Sequence, residues 1–180
     1  MRARSRSSGL FLLILLGCGP APEQKAAPKV VAKQAASGEV GYELRRLRPR
    51  DEEPLAGMFD RLRAQAVKDG KRVMVLFSAD WCEPCREIEA ELGSRHPAEK
   101  IGGVQILEVK EEDWTAVTRM DEFDKLRFRW SDVTGSYPLL LLLDEKGEKQ
   151  EEMKEAIDRL TAAGVEPTLA NWLADTRPTV

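Results

Sequence analysis

Apolar residues fall into regular patterns along the chain. Leu55, Met58, Phe59, Leu62 and Ala66 recur at i, i+3, i+4, i+7 and i+11, on one face of a helix from Pro54 to Asp69. Pro54 suits a first-turn position and Gly70 a stop. Arg72 to Ser78 is a nearly continuous apolar run, as in a strand buried on both faces of a parallel sheet. Cys82 to Leu92 is expected to be helical, with Ile88 and Leu92 one turn apart and Pro84 in the first turn, where its missing N–H matters little. Val104 to Lys110 reads as a further strand, and Glu112 to Arg127, carrying Trp114, Val117, Met120 and Phe123, as mostly helix. Leu139 to Leu143 is an all-leucine strand, closed by a turn at Asp144 to Glu148. Glu151 to Ala163 is helical by composition, and Pro167 to Asp175, with Leu169, Trp172 and Leu173, reads as a terminal helix. Val40 to Leu47 fits a first edge strand. Strands alternating with helices predict an α/β fold, a mixed sheet covered by helices.

The start of the chain follows a different pattern. Arg2, Arg4 and Arg6 precede an apolar run from Gly9 to Leu16, and the first acid is Glu23. A positive segment followed by a short apolar one is the layout of a secretory signal. The run is shorter than the roughly 20 apolar residues that a membrane span needs. It closes on Leu15-Leu16-Gly17-Cys18, which resembles the lipobox of bacterial lipoproteins. That resemblance implies cleavage of residues 1–17 and lipidation of Cys18, the acyl chains contributing about 0.8 kcal/mol of membrane affinity per buried CH₂. An ordinary signal peptide with an incidental Cys18 is the other reading. Residues 18–50, rich in Ala, Pro, Lys and Gln, read as a flexible tether, and 51–177 as the folded domain.

Composition narrows the function classes. A chain of 180 residues with 42% apolar residues has enough for a core, and a net charge of -3 gives no support to nucleic-acid binding. The basic cluster Arg45-Arg46-Leu47-Arg48-Pro49-Arg50 reads as a solvated linker, a membrane-surface or partner patch being the alternative. Of three cysteines, lipidation would consume Cys18, leaving Cys82 and Cys85 with two residues between them. Outside the cytoplasm such a pair forms a disulfide readily.

Disulfide exchange needs a thiolate attacker and a second thiol that resolves the mixed disulfide. Two cysteines with a two-residue spacer at a helix start provide both. The unpaired N–H groups and helix dipole there lower the first thiol's pKa below the free value of about 8.5. Cys82 is the expected nucleophile and Cys85 the resolving thiol. Zinc is the alternative use of the pair, but a structural site asks for four ligands and only His96 and carboxylates could join. A catalytic Cys–His couple is also conceivable, although the second cysteine argues for redox chemistry. No metal or cofactor is expected.

The stretch Val73–Ser78 leading into Ala79-Asp80-Trp81-Cys82-Glu83-Pro84-Cys85-Arg86, together with Ser136-Tyr137-Pro138-Leu139-Leu140, resembles the thioredoxin superfamily. The Ala-Asp-Trp-Cys phrase looks most like the C-terminal domain of DsbD-type disulfide reductases, and the Cys-Glu-Pro-Cys spacer like thioredoxin-like reductants of cytochrome c maturation. The resemblance implies a three-layer sandwich with a central mixed sheet. It makes Pro138 a cis-proline facing the dithiol, gives Tyr137 backbone contact with a substrate strand, and sets Trp81 on one flank; Glu83 and Pro84 form the spacer. Simple packing is the other reading of Trp81 and Tyr137, and an ordinary strand-start proline that of Pro138. The sequence departs from the family at Leu76, where a buried Asp usually stands; Glu108, on the neighbouring strand, is the candidate proton acceptor, or else an edge charge. The loop before Pro138 runs about one residue longer than in the family. Lys149-Gln150-Glu151-Glu152, where a hairpin strand is due, shows no strand pattern, so the Glu151–Ala163 segment is an atypical strand or a helical insertion.

The combined expectation is a lipid-anchored thiol–disulfide oxidoreductase of the bacterial cell envelope, facing the periplasm or exterior. Glu83 disfavours the thiolate and leans the reading toward a reductant or isomerase. Its partners would be envelope proteins with cysteines and a membrane electron donor. A non-catalytic binding module with a structural disulfide is the alternative.

Overall fold

A computed structural model describes residues 41–92, 101–133 and 135–176. Cys18, the signal segment, most of the tether and His96 lie outside them. The strands are β1 (Tyr42–Leu47), β2 (Arg72–Ser78), β3 (Val104–Lys110), β4 (Leu139–Leu143) and β5 (Lys149–Glu152). The helices are α1 (Leu55–Lys68), α2 (Glu83–Leu92), α3 (Glu111–Thr115), α4 (Met120–Arg127), α5 (Met153–Ala162) and α6 (Leu169–Asp175).

The strands form one mixed sheet in the order β1-β3-β2-β4-β5. β3 runs parallel to both β1 and β2, while β4 is antiparallel to β2 and to β5. Alternate residues of each inner strand point to opposite faces. Val75, Phe77, Leu107 and Leu141 meet α1, α3 and α4 through Phe59, Trp114 and Phe123. Met74, Leu76, Ile106 and Leu140 meet α2, α5 and α6 through Ile88, Leu160 and Trp172. Hence β2, from Val73 to Phe77, and the all-leucine β4 are apolar: both faces are covered. The fold is the thioredoxin-like α/β sandwich, three layers with the sheet in the centre.

The face predicted for α1 is the buried one, Leu55, Met58, Phe59, Leu62 and Ala66. Its first N–H, on Leu55, donates to Glu122 Oε2 at 2.8 Å, so a carboxylate from α4 fixes the helix start. Gly70 ends it at φ 71°, a left-handed conformation open to glycine.

Two expectations are corrected and one open choice is settled. The folded domain begins before residue 51. Tyr42 to Leu47 pairs residue by residue with Val104 to Val109, so the edge strand read at Val40–Leu47 is present and the expected 18–50 tether overruns it. Within it Arg46 forks onto Asp113 at 2.6 and 2.9 Å, which removes it from the solvated-linker reading. Second, the helix expected over Glu112–Arg127 is two helices, α3 and α4. Thr118 sits at φ 56°, and Arg119 N–H reaches back to Trp114 O at 3.0 Å, closing α3 at a stretch with β-branched Thr115, Val117 and Thr118. The open choice is settled too: Lys149–Glu152 forms the hairpin strand despite its polarity, and the helix read over Glu151–Ala163 follows it as Met153–Ala162. An outer strand needs only its backbone to pair with β4, and its side chains here make ionic contacts: Glu151 accepts from Trp172 Nε1 at 2.7 Å and from Arg159 Nε at 2.7 Å.

Because Tyr42 and Leu47 are buried in the sandwich, a chain starting at residue 51 should be less stable than one starting at residue 41 by about 3 kcal/mol or more in denaturant unfolding. Equal midpoints and slopes would show that β1 is dispensable.

Candidate active site

β2 lies in the middle of the sheet and delivers the chain to one end of it. Beyond Ser78 the backbone turns, with Cys82 N–H donating to Ala79 O at 3.1 Å, and α2 starts at Glu83. Cys82 therefore stands immediately before the helix rather than inside it. Its sulfur takes the position of a capping acceptor: Cys85 N–H donates to Cys82 Sγ at 3.2 Å. Pro84, between them, has no N–H to offer. The two cysteines form a disulfide with S–S 2.07 Å and Cα–Cα 5.3 Å. Cys82 is 3% exposed and Cys85 fully buried.

The turn that carries Cys82 is gripped by three consecutive residues where β3 runs into α3. Lys110 Nζ pairs with Asp80 at 2.5 Å, Glu111 Oε2 accepts from Trp81 Nε1 at 3.2 Å, and Glu112 Oε1 accepts from Asp80 N–H at 2.8 Å. This follows from register. Ser78 is level with Lys110, so the end of β3 arrives beside the end of β2. Glu83 is paired with Arg86, which also donates to Asp80 O at 3.0 Å. The negative charge next to Cys82 is thus partly offset.

Trp81 is 64% exposed, its ring edge-on to Tyr137 at 5.5 Å between centroids. Tyr137 packs on Ala79, Cys82 and Cys85. The Tyr137–Pro138 peptide bond is cis and leads directly into β4. Burial pushes the Tyr137 phenol up to about 12, Glu111 adding to the shift and the Arg127 charge opposing it. The structure thus gathers Trp81, Cys82, Cys85, Tyr137 and Pro138 into one neighbourhood, with Glu83 and Pro84 exposed on its rim.

Glu108 sits one layer back. It is level with Leu76 on β2, buried, and accepts from Ser78 Oγ at 3.0 Å. Its hydrogen bond goes to Ser78 and to neither cysteine. Burial raises the carboxyl above the usual range; the Ser78 hydroxyl opposes this and Glu89 adds to it. Two members of the neighbourhood carry no signal in the sequence: the Lys110–Glu112 grip, which depends on strand order, and Arg127, which is 1% exposed beneath Tyr137. Among the described residues no cluster of His, Cys, Asp and Glu is arranged to hold a metal ion.

No family model and no curated protein matches the chain. Among solved structures it is similar to a disulphide isomerase from Xylella fastidiosa Temecula1, at 16% identity over 72% of this chain and 96% of that one, TM-score 0.48. It is also similar to a poplar thioredoxin h, at 18% identity over 70% and 98%, TM-score 0.39. A third is the DsbD C-terminal domain of Neisseria meningitidis in its oxidised form, at 20% identity over 54% and 80%, TM-score 0.38. At these identities no residue role is carried across.

A carboxyl with a raised folded pKa holds its proton more tightly in the native state. Stability therefore falls as pH rises from the unfolded value through the folded one, and the deficit persists above it. Glu108→Gln should unfold at a higher temperature than the parent at pH 8, and the gap should narrow toward pH 4. A thermal midpoint lowered equally at both pH values would refute the direction assigned to Glu108.

Proposed function

We propose that this chain is a thiol–disulfide oxidoreductase acting through Cys82 and Cys85. The observation that carries the reading is the disulfide at the head of α2 with Tyr137, the residue before the cis-linked Pro138, packed against its cluster. In the reducing direction the Cys82 thiolate attacks one sulfur of a substrate disulfide. That S–S bond breaks, and the other substrate sulfur leaves as a thiolate and takes up a proton. Cys85 then loses its proton and attacks Cys82 Sγ. The mixed disulfide breaks, the Cys82–Cys85 bond forms, and the substrate departs with two electrons gained. The Cys85 N–H that points at Cys82 Sγ favours negative charge on that sulfur in the reduced protein. Glu108, buried on the α2 face of the sheet beside Leu76, is the proposed acceptor for the Cys85 proton.

The same reading extends to cell context. Lipidation at Cys18 would anchor the protein to a membrane outside the cytoplasm, its substrates would be envelope proteins with cysteines, and a membrane partner would supply electrons. The role is that of a reductant or isomerase. A reduction potential near the roughly -120 mV of strong oxidants would overturn that role.

A second reading has an observation of its own: Cys82 is only 3% exposed, which suits a structural disulfide in a binding module. Trapping separates the two. Cys85→Ser should accumulate mixed disulfides through Cys82 with envelope proteins, and Cys82→Ser should abolish insulin reduction. If Cys85→Ser captures nothing and the wild-type chain leaves insulin intact, the binding-module reading stands instead.

A further inference from the structure

Arg127 closes α4 and is 1% exposed, among the most deeply buried side chains of the fold. Burying an ion has an effective penalty of several kcal/mol unless partners offset it. Among the described residues no carboxylate lies within ion-pair distance of this guanidinium. Its Nε and Nη1 have no hydrogen-bond acceptor. What it does touch is specific. Nη2 donates to Ser136 O at 2.5 Å, and the guanidinium lies over the Tyr137 ring at 4.8 Å and the Phe77 ring at 6.0 Å. Ser136 and Tyr137 are the two residues that precede Pro138, and Tyr137 packs against the cluster that holds the cysteines.

A methionine of similar volume would fill this site without an ionic penalty, and replacing a buried ion by an apolar side chain is often neutral or stabilising. Packing therefore does not account for a guanidinium here. A planar fork that hydrogen-bonds a carbonyl with one nitrogen and stacks on a ring with its face does account for it.

We propose that Arg127 is a positioning residue that holds the carbonyl of Ser136 and the ring of Tyr137, and so sets the loop before Pro138 against the Cys82–Cys85 pair. The inference rests on the exchange reading above and deepens it: substrate docking at Tyr137 depends on Arg127, which does not itself touch the reacting sulfurs.

The test compares Arg127→Met and Arg127→Lys with the parent in the full-length chain. It uses insulin reduction with kcat and KM resolved, thermal unfolding, and hydrogen–deuterium exchange over residues 135–138. Arg127→Met is expected to raise KM about tenfold, with kcat changed less, to leave the thermal midpoint unchanged or higher, and to speed exchange in the loop. Arg127→Lys, which keeps the charge and a donor, should recover part of the KM. Unchanged loop exchange in Arg127→Met, or an unchanged KM, overturns the proposal. If Arg127→Met does not fold, Arg127→Lys decides by the same two readouts against the parent. A parent chain that reduces no insulin defeats the exchange reading, and loop exchange then judges the Arg127 contact alone.

Discussion

The junction between β2 and α2 is the constraint on which the site depends. A strand covered on both faces cannot drift, so the place where it ends is fixed to within a residue. Cys82 occupies that place, where the turn hands over to the helix and where the first helical N–H groups need acceptors. A sulfur there caps the helix start, accepting from the Cys85 N–H. The geometry that makes a stable helix start is the same geometry that favours a thiolate, so fold and chemistry draw on one arrangement.

Everything around the junction holds it from another element. The end of β3 and the start of α3 supply an ammonium and two carboxylates to three groups of the Asp80–Trp81 turn. The far side is closed by Tyr137, itself seated on Arg127 from α4. The dithiol is thus gripped by parts of the chain some thirty residues and more away in sequence, which only the sheet order brings together. The charges are close to balanced at Glu83 and Asp80, each with a cationic partner, while Glu111 stays beside the exposed Trp81.

What could be read from the sequence was what depends on local periodicity. The α1 stripe, the apolar β2 and β4, and the cysteine spacing each declare themselves within a dozen residues. The break between α3 and α4 did not, because a left-handed Thr118 looks like any helical threonine until its backbone is seen. β5 was hidden because its inward contacts are made by a carboxylate rather than an apolar side chain, Glu151 accepting from Trp172 and Arg159. Arg127 was hidden for the opposite reason: a basic residue in the last turn of a helix is ordinarily a solvated one that complements the dipole, and nothing nearby marks this one as buried. β1 was half visible, since it is buried only at the ends, Tyr42 and Leu47, with charged residues and an exposed Leu44 filling the interval.

The polarity of β5 also governs how the sheet meets its surroundings. An outer strand presents a row of unpaired backbone groups to which another strand can add. Here that row belongs to Lys149-Gln150-Glu151-Glu152. A second copy laid against it antiparallel in full overlap would set Lys149 opposite Glu152 and Gln150 opposite Glu151, whereas a parallel copy in register would set Glu151 and Glu152 against their own kind, and like charges opposite one another weaken a strand pair. The tetrapeptide that concealed the strand thereby acts as a filter on direction: its charges disfavour a parallel copy of the same edge and leave the antiparallel one complementary.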